Sequence, residues 1–107
     1  MSNARIVNTP SQAIPQSGTT HTQITVGATA ANTFSSLSDN TRHVLLQVLG
    51  ATIRVTFDGS TTPTSTVGFE YIAGSTAYLT RQMALSMKAI RAGGSDATIE
   101  SQQLNYL

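Results

Sequence analysis

A chain of 107 residues, 39% hydrophobic, has material for one folded domain and one modest core. Only 10% of its residues are charged and its net charge is +1, which argues against a nucleic-acid binder that works through massed Lys and Arg. With no cysteine and no apolar run near the ~20 residues of a helical membrane span, disulfide scaffolds, thiolate zinc sites and membrane-crossing helices are also set aside.

Residues 1–20 carry Pro10, Pro15 and a single charge, Arg5, among scattered Ser, Thr, Gln and Asn. Proline fixes φ and removes a backbone donor, so this stretch reads as an extended arm with a short strand near Ala4–Val7. A single β domain is expected over 21–107. Its first strand is Thr22–Val26, alternating and β-branched. Phe34 and Leu37 are apolar anchors in an irregular stretch that ends in the turn signal Ser38-Asp39-Asn40.

His43–Leu49 is almost continuously apolar and reads as a strand covered on both faces. Ile53–Phe57 alternates, with Ile53, Val55 and Phe57 on one side and Arg54 and Thr56 on the other. Asp58-Gly59 ends it with turn chemistry. Val67–Ile72 and Ala77–Thr80 are further strand candidates, separated by Ala73-Gly74-Ser75. Arg81 to Ile90 fits a helical stripe (Met83, Met87, Ile90) and also a strand face (Met83, Leu85, Met87, Ala89). The favoured reading is a helical turn over Arg81–Ala84 and a strand from Leu85 to Arg91. Gly93–Asp96 is a turn and Thr98–Leu104 the last strand. Seven or eight short strands, with turn signals every ~8–12 residues, predict an all-β sandwich or a jelly-roll-like barrel.

No chemistry stands out. His21 and His43 are too few for a catalytic zinc site, which takes three protein ligands. No nucleophile elbow and no phosphate-cradling Gly-rich loop before a helix is present. Asp39, Asp58 and Asp96 sit in turn contexts, where Asp caps its own backbone. No catalytic residue, metal or cofactor is therefore expected. The candidates for partner contact are the cations Arg81 and Arg91, which would share a face of a strand and suit an acidic patch. Tyr71 and Tyr78 are the two aromatics that would have to pair to stack on a sugar. Ser and Thr make up roughly a quarter of the chain, and a neutral hydroxyl-rich surface tolerates close packing against other protein. The first eight residues hold no apolar leader stretch, which predicts synthesis in a cytoplasm.

From Arg42 onward a set of ordered motifs resembles small structural proteins of tailed bacteriophages. They are Val44-Leu-Leu-Gln-Val48, Ile53-Arg-Val-Thr-Phe-Asp-Gly59, Pro63-Thr-Ser-Thr-Val-Gly68, Ala73-Gly74, Lys88-Ala-Ile-Arg-Ala92 and Ser95-Asp-Ala-Thr-Ile99. The resemblance is to head decoration, or cement, proteins of the virion. It implies a non-enzymatic protein, made in the host bacterial cytoplasm, that ends on the capsid surface. There it would bridge subunits of the major capsid protein as a homotrimer, with no nucleic acid and no membrane as partner. Asp58, Gly59, Gly68, Gly74 and Gly93 would then be structural turn positions, and Arg54 would project toward solvent or a partner. An extended arm would add contact area, so that deleting Met1–Gly18 would leave the domain folded and weaken particle binding. A tail, neck or fibre-associated protein, including a carbohydrate-binding β-sandwich, is the alternative.

Overall fold

The computed structural model describes residues 15–106. The strand expected near Ala4–Val7 lies outside them. Eight strands and one short helix follow in chain order: β1 (Pro15–Val26), β2 (Ala31–Asn32), β3 (His43–Leu49), β4 (Ile53–Thr56), β5 (Phe69–Tyr71), β6 (Thr76–Thr80), α1 (Arg81–Ser86), β7 (Lys88–Arg91) and β8 (Ala97–Tyr106). They form two four-stranded antiparallel sheets, ordered β1-β8-β3-β6 and β2-β7-β4-β5. Strand 1 therefore pairs with 8, 2 with 7, 3 with 6 and 4 with 5. That nested pairing is the jelly-roll arrangement of a β-sandwich.

The core lies between the sheets. Val44, Leu46 and Val48 of β3 and Ala97 and Ile99 of β8 meet Ile53 and Val55 of β4 and Ala89 of β7. Phe34 and Leu37 are buried, as their spacing in an otherwise polar stretch predicts. The period of two is strict along β3. Val44, Leu46 and Val48 are buried, whereas Leu45 and Gln47 are exposed. The expectation that both faces of this strand are covered is thus corrected: its outer face is open.

β1 begins at Pro15, earlier than the expected Thr22. Among the described residues Pro15 opens this strand and the strand lies at the edge of its sheet, a position that tolerates proline. Residues 15–20, read from sequence as arm, therefore belong to the sandwich. A register shift between Ser17 and His21 interrupts the β1–β8 ladder. The Gln102 amide fills the gap, with Nε2 donating to the carbonyls of Gly18 (3.1 Å) and Thr20 (3.2 Å). Gly18 itself lies so close to β8 that a Cβ there would sit 2.7 Å from the Gln103 carbonyl oxygen. Truncation through Gly18 would remove part of this strand as well as any arm.

The ambiguous stretch 81–90 splits as favoured, with different limits. Thr80 caps α1, its hydroxyl accepting from the Met83 amide at 3.2 Å. The helix ends at Met87, which is extended and buried, and β7 follows. Ala84 is the buried residue of the helix, while Met83 and Leu85 are exposed.

Candidate functional site

The residues expected to touch a partner are mostly engaged within the chain. Arg81 opens α1 and turns back onto the loop before β3, its Nη1 donating to the carbonyls of Ser38 and Thr41, each at 2.8 Å. The same loop is held from β8. The buried Gln103 Oε1 accepts from the Thr41 hydroxyl (2.6 Å) and from the Ser38 amide (3.0 Å). Arg54 reaches across to β5, where Nη1 donates to the Gly68 carbonyl (3.0 Å) and Nη2 lies 4.0 Å from Glu70. Arg91 pairs with Asp96 at 2.7 Å across the last turn. Arg81 sits on the helix and Arg91 on β7, so they do not share a strand face. Tyr71 lies on β5, half-buried and packed on the core, whereas Tyr78 lies on β6 in the other sheet. The two tyrosines form no common platform.

The turn residues hold the loops. Asp58 accepts from the amides of Ser60 (3.0 Å) and Thr61 (2.8 Å) and from the Thr61 hydroxyl (2.5 Å). These donors favour the carboxylate and hold its pKa at about 2. Gly59, Gly68 and Gly74 have φ of +77°, +122° and +93°. Gly68 is the most constrained, because a Cβ there would meet the Val55 carbonyl oxygen at 2.8 Å. Gly93 is not in the left-handed region and has open space around it, so its position requires no glycine.

Two surfaces of the described residues stand out as open to an outside partner. The first is the outer face of the β1-β8-β3-β6 sheet. Register places His21, Gln102, Leu45 and Tyr78 in one row across the four strands, and Gln23, Glu100, Gln47 and Thr76 in the next. A depression of about 300 Å³ lies over these rows, lined by His21, Leu45, Gln47, Thr76, Glu100 and Gln102. Tyr78 is the direct cross-strand neighbour of Leu45, one of the lining residues. Its ring stacks on His43, with centroids 4.8 Å apart and planes 14° from parallel.

The polar side of this face is ordered. Glu100 accepts from His21 Nε2 at 2.8 Å and from Gln23 Nε2 at 2.5 Å. Gln102 spends its Nε2 on three carbonyls, including that of Gln103, which turns its oxygen toward His21 Nδ1 at 3.3 Å. Both imidazole nitrogens thus face acceptors, a pattern that only the doubly protonated ring satisfies. The hydrogen bonds to Glu100 and then Gln102 raise the His21 pKa, and the bonds from His21 and then Gln23 lower that of Glu100.

The second surface is the edge around β5. Phe69 is 67% exposed, Ile72 61% and Val67 45%. β5 is the last strand of its sheet, and no other described strand pairs with its outer side. Phe69 tilts against Phe57 with ring centroids 6.0 Å apart, and a hollow of about 460 Å³ opens beside the two rings. From sequence Val67–Ile72 is only a strand candidate, and nothing in it shows that the strand shrinks to Phe69–Tyr71 and leaves Val67, Phe69 and Ile72 uncovered.

Among the described residues no three of His, Asp and Glu come together as a metal-binding group. The carboxylates of Asp58, Glu70, Asp96 and Glu100 are each engaged by a turn, an arginine or His21. No protein-family model, curated protein or solved structure matches the chain. The likeness to virion proteins therefore rests on the motifs quoted above alone.

Proposed function

We propose that this chain is a non-enzymatic structural protein of a tailed-phage virion, of the head decoration type. In this reading it binds the outer shell and bridges neighbouring copies of the major capsid protein, as a trimer about a local three-fold axis. The observation that carries a binding role is the apolar edge of Val67, Phe69 and Ile72, on a strand whose outer side no described strand occupies. Such an edge offers unpaired backbone groups together with apolar side chains, which is what a strand or loop of another protein requires. The low charge of the chain supports the same reading, since close contact then strips water from few ions. Jelly rolls occur in viral capsid and lectin domains, a fold-level analogy that by itself fixes no function.

The mechanism is linkage. A ligand that binds only the assembled lattice stabilises that lattice by mass action and needs no active site. The test is the copy number of this chain in purified virus particles of its source, by quantitative mass spectrometry against the major capsid protein. Near-stoichiometric copies support decoration. A dozen or so copies assign it instead to the tail or neck, and absence from particles removes the virion reading. Phe69→Ser is expected to lower occupancy on particles while the isolated domain stays folded.

A further inference from the structure

The outer face of the β1-β8-β3-β6 sheet lies on a different sheet from the β5 edge, and its chemistry differs. We propose that this face is a saccharide-binding site. The apolar side of a sugar ring would lie on Leu45 and against Tyr78, with Gln47, Thr76 and Glu100 taking hydroxyl groups. This goes beyond a scaffold role and does not depend on it, because the face lies on the other sheet from the β5 edge that carries that role.

Three observations point to a sugar and away from other ligands. First, the depression exposes mainly apolar surface, with Leu45 and Leu46 among its lining, and the amides of Gln47 and Gln102, the residues Thr76 and Ser101, one imidazole and one carboxylate lie around it. Lys and Arg are absent from that lining, so an anionic ligand such as a phosphate would find no matching charge beyond His21, which Glu100 already neutralises. A neutral ligand with an apolar face and hydroxyls at its rim, each both donor and acceptor, fits this set. Second, Leu45 is 40% exposed and Tyr78 48% exposed as direct cross-strand neighbours. The His43 stack fixes the tyrosine ring in place, which gives a flat apolar shelf beside polar groups. Third, the polar wall is ordered in advance. Glu100 is held through both oxygens and Gln102 through both ends of its amide. Little side-chain entropy therefore remains to be lost at Glu100 and Gln102 on binding. A row of four strands spans roughly 14 Å at ~4.8 Å per step, enough for one to two sugar rings. The hollow of about 300 Å³ is at the small end of ligand sites, in keeping with such a ligand.

The test is a printed array of neutral and acidic oligosaccharides probed with the labelled full chain. A titration of isotopically labelled protein with the best-bound sugar follows, read by amide chemical shifts. The expected result is saturable shifts confined to residues 45–47, 76–78 and 100–102. Affinity should fall about tenfold or more in Gln47→Ala and in Tyr78→Ala, as loss of a direct polar or stacking contact predicts. Both sites are exposed, and an unchanged melting temperature would confirm that the variants fold. Phe69→Ser, on the other sheet, should bind the sugar as the parent does, so failure here is distinct from failure of the shell-binding role. No binding on the array would overturn the proposal. So would binding that survives both variants, or shifts on this face that depend on protein concentration without sugar, which would place a second copy there.

Discussion

The corner built from Thr41, Arg81 and Gln103 and the edge at residues 67–72 are both places where a loop enters a strand, yet they are held by opposite means. At the corner, a buried amide and an arginine satisfy the Ser38 amide, the Thr41 hydroxyl and two carbonyls, and the loop is locked to β8 and α1. At the edge, Arg54 pins one carbonyl, that of Gly68, and the apolar side chains of Val67, Phe69 and Ile72 stay exposed. The polar residues, which a sequence reader assigns to partners, fasten the chain to itself. The apolar residues Val67, Phe69 and Ile72, part of an ordinary strand candidate in the sequence, are left exposed.

The largest effect should come from breaking the corner. Gln103→Ala leaves the Thr41 hydroxyl and the Ser38 amide without their buried acceptor, and a cost of ~3 kcal/mol is expected. At ~4–8 °C per kcal/mol for a domain of this size, thermal melting would register it plainly. The edge is tested by a glycine series. Gly68→Ala forces a Cβ onto the Val55 carbonyl at φ +122°, and ~2–3 kcal/mol of destabilisation is expected. Gly74→Ala meets no atom and suffers only its φ of +93°, for ~1–2 kcal/mol. Gly93→Ala should stay within ~0.5 kcal/mol. If Gly68 and Gly93 proved equally tolerant, the close approach of β4 and the loop before β5 would be wrong.

Phe69→Ser sharpens the contrast further. The ring is largely exposed and touches Phe57, so the stability of the isolated domain should change by no more than ~1 kcal/mol. Solubility should rise, and association with any partner at this edge should fall. A large loss of stability would mean that the edge belongs to the core and is no interface.

The burial of Ile53 and Val55, the turn at Asp58-Gly59 and the existence of a strand at His43–Leu49 were legible because each is a local pattern. So was the all-β class. Thr56, however, expected on the face opposite Ile53 and Val55, is buried, and Phe57 lies past the end of its strand. The open outer face of β3 was not legible, because Leu45 is apolar and a sequence shows hydrophobicity but not which sheet face has a neighbour. The long-range clamps were equally hidden. Gln103 and Thr41 are 62 residues apart, and Arg81 and Ser38 are 43 apart. No spacing rule links such pairs. The outer-face rows were out of reach for the same reason: they join residues 21, 45, 78 and 102 through the jelly-roll pairing, which local patterns do not specify.

The smallest expected effect is a pH dependence of the polar outer face. The pKa of His21 is raised by Glu100 and Gln102, so its contribution to stability is complete below the ordinary histidine value of ~6.5 and is lost as pH rises through the raised one. The pKa of Glu100 is lowered by His21 and Gln23, so its contribution holds above the ordinary value of ~4.3 and is lost as pH falls through the lowered one. The pair is therefore most stabilising between those ordinary values, from mildly acidic pH up to near neutrality. Both groups lie at the surface, so solvent and salt screen the effect. Melting temperatures measured from pH 5 to 8 should decline slightly across the upper half of that range at low salt, and less at high salt. His21→Gln should flatten the decline, because the amide can still bond to Glu100 but cannot titrate. A decline that persisted unchanged in His21→Gln would move its origin to another group and leave the ordered wall of the outer face without its proposed charge.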